Sequence, residues 1–198
     1  TETWDGSSWT EVNDLNQARS NLSGTGTVTS GIVAGGSVPP STAVVELWDG
    51  TSWTETTDIN TTRSGGGMSG DSSSSALLID GNQTKVVEQW DGTSWTEIAE
   101  LNQERSDIFG GIGSVTLAMV AGGYSSAPIS PTSTINVELW NGTSWTEINN
   151  LATGRASPGS QGSATSAMVQ GGYTAPGGGT GTTEVFTAGL ANKTITAS

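Results

Sequence analysis

One octapeptide recurs four times: WDGSSWTE at residues 4–11, WDGTSWTE at 48–55 and again at 90–97, and WNGTSWTE at 140–147. Successive copies start 42 to 50 residues apart. A unit of that length cannot bury its own apolar face, so it must stack on its neighbours, and the sequence predicts a repeat architecture.

The register runs beyond the octapeptide. Each second tryptophan is followed six residues later by Leu15, Ile59, Leu101 or Leu151 and ten residues later by Arg19, Arg63, Arg105 or Arg155. From each arginine, 17 or 18 residues lead to the second glycine of a pair, as in ValAlaGlyGly at 33–36, ValAlaGlyGlyTyr at 120–124 and ValGlnGlyGlyTyr at 169–173. The second unit departs from this with Asp80 and Gly81. From the last glycine to Glu46, Glu88, Glu138 and Glu184 the gap is 10, 7, 15 and 12 residues, so the length variation sits in one connection per unit.

Within a unit the apolar residues alternate or form short β-branched runs, broken by Gly, Asn, Asp and Ser clusters, and no helical stripe occurs. The expectation is all β. In the second unit, strands are predicted at 64–70, 75–79, 85–90 and 95–98. Four short antiparallel strands per unit make a propeller blade, and residues 1–198 read as one propeller domain of four full blades plus a spare hairpin at 2–12. The last unit borrows the segment LysThrIleThrAlaSer as its fourth strand. The sequence opens inside a unit and without Met, which points to a piece of a longer chain or assembly.

The octapeptide is the hairpin between the third and fourth strands, with AspGlyThrSer as a turn that places one residue at positive φ. If the tryptophans face each other, then Glu46 faces Glu55, Glu88 faces Glu97, Glu2 faces Glu11 and Glu138 faces Glu147. Like charges opposed on a sheet repel. Three readings are open: the one arginine per unit bridges the carboxylates, a cation such as calcium does so, or the register is different. Trp4, Trp9, Trp48, Trp53, Trp90, Trp95, Trp140 and Trp145 are likewise either blade-packing core or an exposed set of sugar platforms.

The order of arginine, double glycine, aromatic residue and tryptophan resembles the kelch repeat, and the WDGTSWTE wording looks like kelch-like arrays of tailed-phage and environmental virion proteins. The family's glycines match Gly35 and Gly36, Gly122 and Gly123, and Gly171 and Gly172; its tyrosine is matched by Tyr124 and Tyr173. The resemblance implies a β-propeller that binds, and in viral relatives a structural, fibre or surface-display role.

Composition narrows the chemistry. The chain has no Cys and no His, which removes thiol and imidazole catalysis, disulfides and Cys/His zinc sites, and with them the copper oxidases built on kelch propellers. A net charge of −13 repels phosphate backbones and anionic lipid, so neither nucleic acid nor membrane is an expected partner. No apolar run is long enough to span a bilayer. The hairpin turn is only weakly like the sialidase Asp box, because Asp49 lies four residues before Trp53 and the Asp-x-Gly order is missing. Paired glutamates can hydrolyse glycosides, but one pair repeated in every unit points to architecture, and Asp71, Asp80 and Asp107, which break the pattern, are scattered. The glycine-rich stretches lack the lysine and following helix of a phosphate loop. Asn21, Asn60, Asn82, Asn141 and Asn192 head Asn-x-Ser/Thr triplets, which matter only in a eukaryotic secretory setting.

The sequence therefore predicts a protein that is not an enzyme and carries no cofactor or metal, placed in a virion or outside the cell. Its expected partners are other protein chains, by self-assembly or with virion proteins, or alternatively glycans. Binding is expected on the face that gathers the variable connections 37–42, 81–84, 124–133 and 173–182, with Tyr124, Tyr173, Asn82 and Gln83 as candidates. The competing reading is that these loops merely tolerate insertion.

Overall fold

A computed structural model describes residues 1–108, 110–127, 130–174, 178–188 and 193–195. No helix occurs among them. The chain opens with a hairpin, β1 (Glu2–Trp4) and β2 (Trp9–Glu11). Four antiparallel four-stranded sheets follow as the blades of a four-bladed β-propeller. The first holds β3 (Ser23–Thr27), β4 (Ser30–Ala34), β5 (Val45–Trp48) and β6 (Trp53–Glu55), and the second β7 (Gly67–Ser72), β8 (Ser75–Ile79), β9 (Val87–Trp90) and β10 (Trp95–Glu97). In the third blade, β11 (Ile112–Gly113) and β12 (Ala118–Ala121) are followed by an inserted hairpin, β13 (Tyr124–Ala127) and β14 (Ser130–Ser133), and then by β15 (Val137–Trp140) and β16 (Trp145–Glu147). The fourth repeats this plan with β17 (Gly159–Ser163), β18 (Ser166–Gln170), the insert β19 (Tyr173–Thr174) and β20 (Gly178–Gly179), then β21 (Thr183–Thr187) and β22 (Lys193–Ile195).

The octapeptide adopts the expected hairpin. Trp48 lies opposite Trp53, Trp90 opposite Trp95 and Trp140 opposite Trp145, with each glutamate pair in register beyond them. The turn holds itself: Asp49 Oδ1 accepts the backbone N–H groups of Thr51 and Ser52 at 2.7 and 2.8 Å, and Gly50 supplies φ +95°. The same bonds, led by the Ser94 N–H, hold the Asp91 carboxyl down to about 2. The predicted strands of the second unit shift by up to three residues at their ends. The strand at 75–79 keeps its bounds, and the glycine-rich first strand runs from Gly67 to Ser72.

The core lies between blades rather than within them. Ile32, Ala34 and Val45 of the first blade pack with Met68, Leu78 and Trp90 of the second, and Leu77, Ile79 and Val87 on the other face of that sheet pack with Val120 and Trp140 of the third. Alternate residues of one strand thus serve two interfaces, as a period of two requires. In the first three blades the first tryptophan of the hairpin is buried, and its indole N–H donates to a carbonyl in the turn between the first two strands: Trp48 to Val28, Trp90 to Ser73 and Trp140 to Val115. At the axis β3 packs on β7, and β11 packs on both β7 and β17. Glycine makes this approach possible, because a Cβ on Gly67 would stand 2.9 Å from the Gly110 carbonyl carbon.

Two sequence readings need correction. The connections 124–133 and 173–182 are not plain loops: each folds back as a two-stranded ribbon, β13 with β14 and β19 with β20. Burial also divides the tryptophans. Trp4 and Trp9 are 46% and 65% exposed, while Trp48, Trp90, Trp95, Trp140 and Trp145 are core.

The double glycines close the blade interfaces. Gly123 N–H donates to the Arg155 carbonyl at 2.8 Å, and Gly122 has φ +72° with that same oxygen 2.5 Å from where its Cβ would be. Gly122→Ala is therefore expected to lower stability by more than the ~1–3 kcal/mol of backbone strain alone. Gly6→Ala, which has positive φ but open space around it, should cost only the strain. Chemical denaturation of the two variants checks the order.

Candidate functional site

Each blade is tied to the connector that leads into it by one buried ion pair. Arg19 meets Glu46 at 3.2 Å, Arg63 meets Glu88, Arg105 meets Glu138 at 2.5 Å and Arg155 meets Glu184 at 2.7 Å, with all eight side chains at most 2% exposed. The second carboxylate oxygen is also used. Asn16 donates both its backbone N–H and its side-chain N–H to Glu46 Oε2, at 2.7 and 2.8 Å, and Asn60 and Asn102 do the same for Glu88 and Glu138. In the fourth blade Ala152 keeps only the backbone bond, at 2.7 Å to Glu184.

Of the facing glutamate pairs in the blades, the arginine meets the first member only: Glu46, Glu88 and Glu138. Glu55, Glu97 and Glu147 are exposed, where the high dielectric of solvent weakens the repulsion. The guanidinium does more than balance charge. Arg105 Nη1 donates at 3.0 Å to both Gly122 and Asn136, and Arg155 Nη1 donates to Gly171 and Thr182 at 3.0 and 2.8 Å. One planar fork thus clasps both ends of a variable connection while it holds the carboxylate. Removing the cation strands a buried anion, so Arg105→Met is expected to cost about 3–5 kcal/mol, read from the denaturation midpoint.

Above these pairs lies the face that gathers the variable connections and the connectors between blades. They are laced by single bridges: Ser20 with Ser37, Thr84 with Arg105, Ser106 with Tyr124 and Ala156 with Tyr173. The hydroxyl of Ser133, opposite Tyr124 in the β13–β14 ribbon, donates to the Tyr173 carbonyl at 2.9 Å, which brings both candidate tyrosines to one pair of ribbons. The Tyr173 side chain is 47% exposed, and Tyr124 is half-buried. Asn82 and Gln83 sit in the short connection of the second blade at φ +54° and +59°, both exposed, and the Asn82 side-chain oxygen Oδ1 accepts from the Ser64 N–H and hydroxyl. The aspartate turns and the turns between first and second strands occupy the opposite face, as Gly50 against Thr29 and Gly92 against Ser74 show.

The acidic departures do not converge. Asp71 is exposed near the turn between β7 and β8. Asp107 lies on the connector face, where it contacts Gly65 and burial raises its carboxyl. Asp80 is fully buried at φ +58°, in the place that Gly35, Gly122 and Gly171 hold elsewhere. Its Oδ1 accepts from the N–H groups of Gly81 and Thr84 and from the Thr84 hydroxyl, while Oδ2 is buried without a hydrogen-bond partner. Burial outweighs these bonds and the Arg105 charge and pushes the carboxyl up to about 8.

A carboxyl with a raised pKa holds its proton better in the folded state. The resulting stability is complete below about pH 4 and drains away as pH rises to about 8, by up to ~1.4 kcal/mol per unit. Asp80→Asn keeps the acceptor and tolerates positive φ. It should flatten that slope relative to the parent chain between pH 4 and 8, measured as denaturation midpoint against pH.

Two repeated features escaped the sequence reading although the register carried them. The asparagine that cradles each glutamate directly follows Leu15, Ile59 or Leu101. Two residues after each arginine stand Asn21, Gly65, Asp107 and Ser157, all at positive φ, and these link connectors around the axis through Gly65 N–H to Asn21 O and Ser157 N–H to Asp107 O.

No known family model matches the sequence, and neither does any curated protein sequence. Among solved structures the chain is similar to YjhT, with a TM-score of 0.76 at 14% identity over 96% of this chain and 72% of that one. That likeness concerns the fold: the chain is a β-propeller with the repeat character its sequence displays.

Proposed function

We propose that this is a non-enzymatic, kelch-like propeller that serves as a structural and binding unit of a virion or other extracellular assembly, contacting other protein chains through its variable-loop face. One observation carries the reading. The octapeptide hairpins and the arginine–glutamate register recur at fixed places in the scaffold, while the connections on that face differ in length and two of them rise as ribbons bearing Tyr124 and Tyr173. Function collects where a rigid frame holds variable segments. The glutamates that a hydrolase would need are spent on arginine, the remaining acids point to different places, and strands meet at a glycine-packed axis.

The second reading is a glycan-binding adhesin module of a phage tail or fibre, favoured by the half-exposed Tyr173 ring and the exposed amides of Asn82 and Gln83 on one face. Light scattering over a concentration series separates the two. The structural reading expects discrete oligomers that Tyr173→Ala weakens at least tenfold. A monomer at every concentration that is retained on a glycan array, with retention lost in Tyr173→Ala, replaces it with the adhesin.

A further inference from the structure

Three of the four octapeptides carry Asp-Gly in the turn, and the copy in the third blade carries Asn141-Gly142, the one Asn-Gly pair in the sequence. The fold holds the two residue types alike. Asn141 Oδ1 accepts the backbone N–H groups of Thr143 and Ser144, each at 2.9 Å, as Asp91 Oδ1 accepts those of Thr93 and Ser94 at 2.8 Å. Residues 141–144 are all exposed. Gly142 has φ +91°, and a Cβ there would meet only the Thr116 carbonyl oxygen, at 3.4 Å. Among the described residues its N–H takes part in no hydrogen bond.

These are the parts of an intramolecular acyl transfer. The Gly142 nitrogen can close a five-membered ring on the side-chain carbon Cγ of Asn141, and no side chain on residue 142 hinders it. As it attacks, an electron pair of the Cγ carbonyl moves onto Oδ1, where two N–H groups already stand at hydrogen-bond distance. Donors fixed in advance at the atom that takes up charge stabilise such an intermediate. In the aspartate turns a serine hydroxyl also donates to the second carboxylate oxygen, at 3.2 Å in Asp5 and Asp91 and 3.4 Å in Asp49. Asn141 carries its leaving nitrogen, Nδ2, in place of that oxygen.

We propose that Asn141 is a self-modifying deamidation site, at which the turn converts its own asparagine to aspartate. Hydroxide takes the Gly142 amide proton, the N–Cγ bond forms, and the Cγ–Nδ2 bond breaks as the nitrogen takes a proton from water and leaves as ammonia, giving a succinimide. Water then adds at Cγ, where the same N–H pair holds the oxyanion, and the N–Cγ bond breaks with return of a proton to the Gly142 nitrogen. The net change is one water consumed and one ammonia released. Addition of water at the main-chain carbonyl of the ring gives isoaspartate instead, which puts an extra methylene into a hairpin closed by the pairing of Trp140 with Trp145. Aspartate is the product that the fold already accommodates. Its carboxyl is held ionised in the sister turn at Asp91, by the Ser94 N–H foremost, and an ionised carboxylate resists the glycine nitrogen, so the reaction ends there. The third blade then carries the same WDGTSWTE as the first and second, with one further negative charge on the turn face.

The test follows the 198-residue chain at neutral and mildly alkaline pH, folded and in denaturant, by peptide mapping that separates asparagine, aspartate and isoaspartate at position 141. The other asparagines, none of which precedes glycine, serve as internal controls. The expected result is conversion of Asn141 at least twofold faster in the folded chain than in the denatured one, quickening with pH as loss of the amide proton requires. Aspartate should be the main product in the folded chain, with a larger share than in denaturant. Asn141→Gln should abolish the conversion, and circular dichroism checks that this variant keeps its fold. Asn141 that stays intact in the folded chain, or that gains less than twofold over the denatured chain, overturns the proposal by showing that the turn does not promote the attack. Isoaspartate as the main product of the folded chain, or an aspartate share no higher than in denaturant, overturns the role of the N–H pair and the proposal with it.

Discussion

A guanidinium and a carboxylate, both withdrawn from water, set the geometry of every blade. Neither charge is well tolerated alone in that environment, so removing one partner of a pair is strongly destabilising. The carboxylate is met by arginine on one oxygen and by connector N–H groups on the other; for Arg105 and Arg155 the guanidinium is met by the carboxylate and by carbonyls at both ends of the adjoining connection. The connector is thereby fixed at its start, the inner strand is delivered to the axis, and the third strand is held beside the second. The first blade is the loosest instance, since Arg19 makes the ion pair without the carbonyl bonds its counterparts have.

This explains how one connection can vary while the rest does not. Chain length between Gly122 and Asn136, or between Gly171 and Thr182, is free because one arginine holds both ends. Closing a longer loop costs little extra entropy once its ends are fixed. The ribbons on the third and fourth blades have grown where the clasp permits growth.

Much of this was legible because it is local and repeated. The strand order, the facing tryptophans, the positive-φ turn glycine and the Arg register follow from fixed spacing, which a period of two converts into faces. What was not legible depends on neighbours. Glu46 and Glu55 read alike, yet one is buried and the other exposed because only one side of the hairpin meets a connector. Trp9 and Trp95 stand in nearly identical octapeptides and differ in burial because a blade precedes the second and only a groove adjoins the first. The ribbons at Tyr124 and Tyr173 escaped because their Ser, Thr, Ala and Gly residues carry no apolar alternation. Asp80 was visible as a departure, but its burial follows from the glycine position it occupies.

The arginine and the glutamate of each pair lie within one stretch of chain, with the arginine ahead of the first strand and the glutamate in the third. A gene segment cut just before the arginine codon and copied or deleted as a block therefore moves a cation together with its own anion. An array that gains or loses a whole unit at its near-identical octapeptides does so without burying an unmatched charge, and the number of blades becomes a variable separate from the stability of each.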